Sequence, residues 1–353
     1  MDYINKNKAQ AADEVKSPLQ LIFGDVTLGI RGRADKGSPE EEVRKEETRE
    51  KVSLEERGFH YIFSYVTGGM ESLTVNGKEW LYRTPRPTFW RATTDNDRGS
   101  KFPIKSGMWL AADMFIQCTG ITVAVDGKEI PFPCAPENNR YTGEERAKRV
   151  KISFTYETVT VPVAKAIVAY EVEGNGNIHV TANYYGVPGL PELPVFGMRF
   201  IMPTCAEQFV YKGLSGETYP DRKAGGIPGI YKVEGLPVTP YLVPQDCGVH
   251  MDTEWVEVYR GSGLDNRKKG AAELSKLHFD LGSLAFSCLP YTASELENAL
   301  HQEELPLPRR TVLCIYGAVR GVGGIDSWGA DVEPAYHISG ERDMGFEFWV
   351  RPI

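Results

Sequence analysis

Along most of this chain, runs of β-forming residues alternate apolar and polar positions and are separated by turn residues. Val150–Tyr156 (Val-Lys-Ile-Ser-Phe-Thr-Tyr) is representative, with an apolar side chain at every second position, the period of a strand that buries one face. The same pattern predicts strands at Leu19–Phe23, Val26–Ile30, Phe59–Tyr65, Met70–Val75, Lys78–Tyr82, Ile121–Val125 and Lys128–Ile130. Later strands are expected at Ala166–Val172, Ile178–Tyr185, Val195–Ile201, Trp255–Tyr259, Leu284–Cys288, Thr311–Tyr316 and Phe346–Val350. Asn76-Gly77 and Asp126-Gly127 stand between such runs and predict tight hairpins, because both residues of each pair accept the positive φ that a two-residue turn demands. Helical periodicity is confined to Ser106–Phe115 and Ala293–Leu300. Strands never settle into alternation with helices, and no fixed repeat is present. The expectation is an all-β fold, a large antiparallel sandwich with few short helices.

One region breaks this texture. From about 33 to 57 the chain is almost wholly charged, with both signs mixed. Ser38-Pro39-Glu40-Glu41 carries a capping pattern with proline at the first helical position, and Glu40/Arg44, Glu41/Lys45 and Glu47/Lys51 are spaced i, i+4. With Val43, Val52 and Leu54 as its apolar residues, this stretch has no stripe to bury and reads as a solvated helix or a flexible insertion. Residues 1–18 read as a polar tail, and 19–353 as one domain interrupted by the charged insertion.

Composition narrows the class. An apolar share of 41% and a charged share of 25% are ordinary for a globular protein, and no window approaches the length of apolar sequence that spans a membrane as a helix. Forty Lys and Arg against 48 Asp and Glu leave a net charge of -8, which opposes nucleic-acid and anionic-membrane partners. The six cysteines (118, 134, 205, 247, 288 and 314) show neither a C-x-x-C nor metal-ligand spacing with histidine. The N-terminus lacks the apolar core of a signal peptide, so a cytoplasmic location is expected.

Three polar loops interrupt the strand pattern. The first, Phe89-Trp-Arg-Ala-Thr-Thr-Asp-Asn-Asp-Arg-Gly99, offers oxygens from Asp95, Asn96 and Asp97. A calcium loop of the EF-hand kind would need an oxygen ligand at 99 and a glutamate at 106, where Gly99 and Ser106 stand. Turn-making by Asx side chains, or a mobile loop touching a ligand, are the other readings. In the second loop, Gly213-Leu-Ser-Gly-Glu-Thr-Tyr-Pro-Asp-Arg222, Pro220 fixes a turn that Asp221 and Arg222 are expected to tie. The third, Arg320-Gly-Val-Gly-Gly-Ile-Asp-Ser-Trp-Gly329, has glycines on both sides of a single tryptophan. It fits neither G-x-G-x-x-G, since Asp326 occupies the last glycine position, nor a P-loop. It reads as a loop that presents the aromatic face of Trp328.

No catalytic set emerges from the residues. Glycoside hydrolysis requires two carboxylates across one bond, and nothing singles out such a pair. Neither G-x-S-x-G nor H-E-x-x-H occurs.

The three loops, in this order, resemble the C-terminal domain of glycoside hydrolase family 2 β-galactosidases. The resemblance runs from about Leu19 to the end of the chain. A chain carrying this domain alone, with its own Met start, is similar to the small subunit of the two-chain enzymes of lactobacilli and related bacteria. The resemblance implies a supersandwich like that of galactose mutarotases, and a large-subunit partner whose TIM barrel holds the catalytic glutamates with magnesium and sodium. No catalytic residue and no metal are then expected on this chain. The resemblance makes Trp328, with Asp326 and Ser327, the substrate-binding residues, and makes Asp95, Asn96, Asp97 and Gly99 a switch loop. Tyr219, Asp221 and Arg222 form a structural motif. Relative to the family, the charged run is an insertion. The competing expectations are a free-standing sugar-binding module and a mutarotase-like epimerase, which would need a histidine and a carboxylate as acid and base, with His179 or His250 as the histidine.

Overall fold

The computed structural model describes residues 19–33, 58–131, 133, 145–261 and 274–353. The expected tail (1–18) and all but the first residue of the expected insertion lie outside these residues. Strands fall, in chain order, at β1 (Leu19–Phe23), β2 (Thr27–Gly32), β3 (Phe59–Ser64), β4 (Gly69–Val75), β5 (Lys78–Glu79) and β6 (Arg83–Thr88). Three short helices follow, α1 (Asp95–Gly99), α2 (Phe102–Ser106) and α3 (Met108–Phe115). Next come β7 (Gln117–Val125), β8 (Lys128–Ile130), β9 (Arg146–Ala147), β10 (Arg149–Glu157), β11 (Lys165–Glu173), β12 (Ile178–Tyr185) and β13 (Val195–Met202). The rest is β14 (Gln208–Leu214), β15 (Pro228–Glu234), β16 (Val249–Arg260), β17 (Ser275–Leu289), helix α4 (Ala293–Asn298), β18 (Thr311–Val319) and β19 (Met344–Pro352).

All pairings between described strands are antiparallel. One sheet runs β5-β4-β3-β2-β1-β9. The other runs β15-β14-β16-β17-β19-β12-β11-β10-β7-β8 and forks at β17. The first half of that long strand pairs with β19, and its second half pairs with β18, which leads on to β13 and β6. The fork lets one strand serve two surfaces that diverge in direction, which is how a very wide sheet escapes being flat. The all-β antiparallel expectation holds, and no described helix is long and apolar enough to cross a membrane.

The core lies between the two sheets. Alternation along β10, β11 and β12 sends Ile152, Phe154, Tyr156, Val168, Tyr170 and Val180 inward, each at 0% exposure. From the facing sheet Phe63 meets Phe154 at 6.4 Å and Tyr170 at 5.5 Å between ring centroids. A second aromatic group of Phe89, Trp109, Tyr184 and Phe196 packs α3 onto β12 and β13, with centroid separations of 5.7 to 6.1 Å among Phe89 and its three neighbours. Phe89 is the first residue after β6, so the first polar loop springs from the floor of the core.

Several expected boundaries shift. The helix expected over Ser106–Phe115 is found as α3, beginning at Met108, and a further short helix, α2, which was not expected and which has Pro103 near its N-terminus, ends at Ser106 just before it. Strand character expected over Lys78–Tyr82 stops at Glu79. There Oε1 of Glu79 accepts from the N–H groups of Leu73, Trp80 and Leu81 and turns the chain away from the sheet. Strands β6, β9, β14 and β15 had no counterpart among the expected elements.

Candidate functional site

The three polar loops, at 89–99, 213–222 and 320–329 in the sequence, meet at one place. Their meeting point is a buried set of charges, and it begins with α1. Within the first polar loop, where Asx turns were expected, Asp95–Gly99 is one turn of helix with a capping box. The Asp97 N–H donates to Thr94 Oγ1 (3.1 Å) and the Thr94 N–H donates to the Asp97 carboxylate (2.9 Å). That reciprocal cap turns Asp97 inward, where Arg91 donates to it at 2.6 and 3.3 Å. Arg320, from the root of the tryptophan loop, reaches the same carboxylate at 3.5 Å.

Both arginines are almost fully buried and each is satisfied on several sides. Arg91 also donates to the carbonyls of Ala92 and Gly321, each at 3.2 Å. Arg320 engages Glu192 (3.3 Å) and Asp331, and its guanidinium lies over the Phe102 ring at 4.1 Å. Arg91 Nε has no hydrogen-bond partner, but pairing of the terminal nitrogens with carboxylates and carbonyls is what makes such a buried guanidinium tolerable. Burial opposes the charge on Arg91, and the neighbouring carboxylates Asp97 and Asp246 outweigh it, raising its pKa above the ordinary value. Burial likewise acts to raise the Asp331 carboxyl, but the hydrogen bond and charge of Arg320 prevail and hold it below the usual range.

The second loop supplies the clamp. Arg222 N–H bonds to the Tyr219 carbonyl at 2.8 Å, closing a turn over Pro220, and the Tyr219 hydroxyl donates to Asp246 at 2.8 Å. The turn is thus tied through the Arg222 backbone as expected, while the Asp221 and Arg222 side chains tie the third loop as well. Asp221 accepts from the backbone N–H of Val322 (3.0 and 3.1 Å) and of Gly323 (2.8 Å), while Arg222 donates to the Gly323 carbonyl. From α1, Asn96 donates to the Val322 carbonyl at 3.0 Å.

Beyond this root the chain turns outward. Gly323 and Gly324 have φ of +66° and +78°, values open to glycine at little cost. A β-carbon on Gly324 would lie 2.6 Å from Asn96 Nδ2, so a larger residue there would push that amide aside. The tip then carries Ile325, Asp326, Ser327 and Trp328, all exposed, and the indole is 92% exposed. Asp326 Oδ1 accepts from the N–H of Trp328 (2.9 Å) and of Ala330 (3.1 Å), so this side chain makes the turn that holds Trp328 up. Gly329 packs on Gly99 of α1. Asp95, Asn96 and Gly99 are exposed beside the tip, whereas Asp97 is not.

Chemically, this is a scaffold for presenting an aromatic ring. Asp97, Glu192 and Asp331 all face arginines, and Asp95 pairs with Arg98 at 3.0 Å, so the oxygens of the first loop diverge instead of surrounding one point. Among the described residues no group of three or more His, Cys, Asp or Glu converges as a metal site. Asp246 is different in character: burial and the nearby charges of Asp97 and Glu217 raise its pKa to about 7 against the pull of Arg91 and Tyr219. It lines a small cleft with Trp90, Arg199, Ser287, Tyr291 and Tyr316. The polar groups there already bond to protein: Arg199 to Asp113 (2.7 Å), Ser287 to Tyr316 (3.1 Å) and Asp246 to Tyr219.

The histidines that an epimerase would need are placed otherwise. His250 is enclosed by Phe209, Tyr211 and Phe286, and burial lowers its pKa to about 4. His179 stacks on Trp349 at 4.5 Å with Glu347 at 3.3 Å, on strands β12 and β19 and away from the three loops. The residues that sequence reasoning passed over are Arg91, Arg320, Glu192, Asp246 and Asp331. Two of them lay inside the loops already singled out, where a lone arginine amid apolar and small residues is itself a sign of a buried partner.

Comparison with known proteins adds the family. Residues 55–350 match the model for the β-galactosidase small chain. The chain is 59% identical over 332 residues to a β-galactosidase small subunit of Latilactobacillus sakei, covering 94% of this chain and 96% of that one. It is 30% identical to a β-galactosidase of Halalkalibacterium halodurans over 98% of its own length, but spans 29% of that protein. Against a β-galactosidase of Bifidobacterium adolescentis the share is 31%, at 29% identity. Among solved structures, a galactose mutarotase-like protein of Lactobacillus casei aligns over 83% of this chain and 96% of that one, with a TM-score of 0.37 and 9% identity.

Proposed function

Because the chain belongs to the β-galactosidase small-chain family, we propose that it completes the active site of a separate large subunit instead of carrying the bond-breaking groups itself. That partner, a TIM-barrel hydrolase, would cleave terminal β-D-galactosides such as lactose with retention and transfer galactose to acceptors. The observation that carries this reading is Trp328. A tryptophan 92% exposed, on a loop rooted in a buried cluster of paired charges, offers its ring to something outside its own chain.

The carboxylates at this site are compatible with that division of labour. Retaining cleavage needs an acid and a nucleophile roughly 5 to 5.5 Å apart, one protonated and one ionised. At this site Asp97, Glu192 and Asp331 are instead engaged by arginines. On this reading, and as the family resemblance implies, the catalytic glutamates would lie on the large subunit together with magnesium and sodium. Trp328 supplies a flat apolar wall against which the C–H face of a sugar stacks. Covering about 60 Å² at ~25 cal/mol per Å² contributes about 1.5 kcal/mol, roughly a tenfold effect on binding. That is enough to orient the glucose or acceptor portion and too little to be indispensable for cleavage. Asp326 and Ser327 flank the ring, Asp326 shaping the turn. Asp95, Asn96 and Gly99 form the exposed part of the switch segment, which Asp97 anchors. Free thiols at Cys118, Cys205, Cys247, Cys288 and Cys314 fit a cytoplasmic location.

The test is Trp328→Ala in the assembled enzyme. KM for lactose should rise by up to roughly tenfold and transfer to acceptors should fall relative to hydrolysis, with a smaller change in kcat. An unchanged KM and product pattern would refute the stacking role.

A further inference from the structure

We propose that Asp221 and Arg222 are positioning residues for Trp328, acting as a clamp that fixes the peptide units on both sides of Gly323 and so sets the direction of the exposed indole; the sugar-binding part of this inference rests on the reading of Trp328 given above. The argument starts at Gly323. Its N–H and that of Val322 converge on one carboxylate, Asp221, at 2.8 to 3.1 Å, and its carbonyl is taken by the adjacent Arg222. Both faces of the glycine are thus held by two consecutive side chains that come from 101 and 102 residues earlier in the chain. A β-carbon on Gly321 would sit 2.9 Å from the Asp221 carboxyl carbon, so the carboxylate is seated against bare backbone.

The clamp is itself immobilised. The Arg222 N–H to Tyr219 carbonyl bond closes the turn that holds it, Pro220 stiffens that turn, and Tyr219 is 4% exposed with its hydroxyl on Asp246. Past Gly324 the ties to the tip are local, through Asp326, or a packing contact of Gly329 on Gly99. The orientation of the ring is therefore inherited from the root at 322–324, where the positive φ values turn the chain outward. Glycine there would otherwise sample several conformations at similar cost, and a ring that wanders cannot meet a sugar face in one geometry. A carboxylate suits the position because it accepts from two N–H groups at once, and charge-assisted bonds of this kind are stronger than those to a neutral amide.

Three variants of the full chain, Asp221→Ala, Asp221→Asn and Trp328→Ala, with the double variant D221A/W328A, provide the test. Hydrogen-exchange mass spectrometry on a peptide spanning 320–330 should show the amides of Val322 and Gly323 exchanging about tenfold faster in D221A, with D221N between it and the parent because one acceptor oxygen remains. Exchange in this peptide should be nearly unchanged by W328A. In the assembled enzyme, D221A should raise KM for lactose in the same direction as W328A and by more than it lowers kcat. The double variant should show no further rise over W328A, because both changes disable one contact. Parent-like exchange in both D221A and D221N overturns the clamp. Additive KM effects show that Asp221 does not act through Trp328 and overturn the positioning role. If W328A alone leaves KM and products unchanged, the stacking reading fails with the sugar-binding part of this proposal, and the exchange data still decide whether the clamp exists.

Discussion

At Asp97 the chain places one carboxylate between two buried guanidinium groups, and the arrangement is consistent only as a whole. Replacing Asp97 with Ala would leave Arg91 buried beside a missing partner, a change expected to cost roughly 3 to 5 kcal/mol. Denaturant unfolding should show the extrapolated stability fall by that much, with a lower midpoint and little change in slope; a loss under about 1 kcal/mol would mean that the cluster is wet and its pairing weak. Asp246 predicts the opposite sign at neutral pH. Its pKa in the folded chain, about 7, stands above the value of an exposed carboxyl. The stabilisation from holding its proton is complete below about pH 4 and is lost as pH rises through 7. Asp246→Asn keeps the site neutral, so its melting temperature should gain on that of the parent protein, and by more at pH 8 than at pH 5. An equal difference at both pH values would contradict an elevated pKa.

Among the elements, legibility followed local pattern. Strands such as β10, β11 and β12 were readable because alternation over eight or nine residues survives any tertiary context in which one face is buried. Strand β6 was not, since Arg-Thr-Pro-Arg-Pro-Thr reads as loop. It pairs only with β13 among the described strands, which is where a sheet tolerates proline. Strand β15 opens with Pro228-Gly229 and hid for the same reason. Helix α1 is built of Asp, Asn, Asp, Arg and Gly, mostly poor helix formers, and exists because of its capping box and the grip of Arg91 on Asp97. Of the site, the three loops and the exposed tryptophan were readable from glycines and loop polarity, whereas their convergence was not: a contact between Arg320 and Asp97 spans 223 residues and leaves no local trace. The tryptophan loop carries its own prediction. Gly324→Ala would force a residue with a β-carbon to φ near +78° against Asn96, costing about 1 to 2 kcal/mol locally. Because the cost falls on the root of the loop, the melting temperature should move little while KM for lactose rises; the reverse pattern would mean that the loop carries stability instead of geometry.

For the whole molecule, the two sheets and their shared core provide rigidity, and the ends of β6, β14 and β18 deliver the three loops to one place. This chain spans 29% of a β-galactosidase that it matches along 98% of its own length, so the remainder of such an enzyme has no counterpart here. A scaffold with an exposed aromatic tip and arginine-paired carboxylates around its root fits the proposed role of completing the active site of a separate large subunit. The most direct measurement is lactose-analogue hydrolysis by the purified chain alone, by its large subunit alone, and by the two mixed, with size-exclusion chromatography of the mixture. The expected result is that this chain alone hydrolyses nothing and that mixing yields one complex with activity well above that of the large subunit alone. Hydrolysis by the isolated chain, or a mixture no more active than the large subunit by itself, would contradict it.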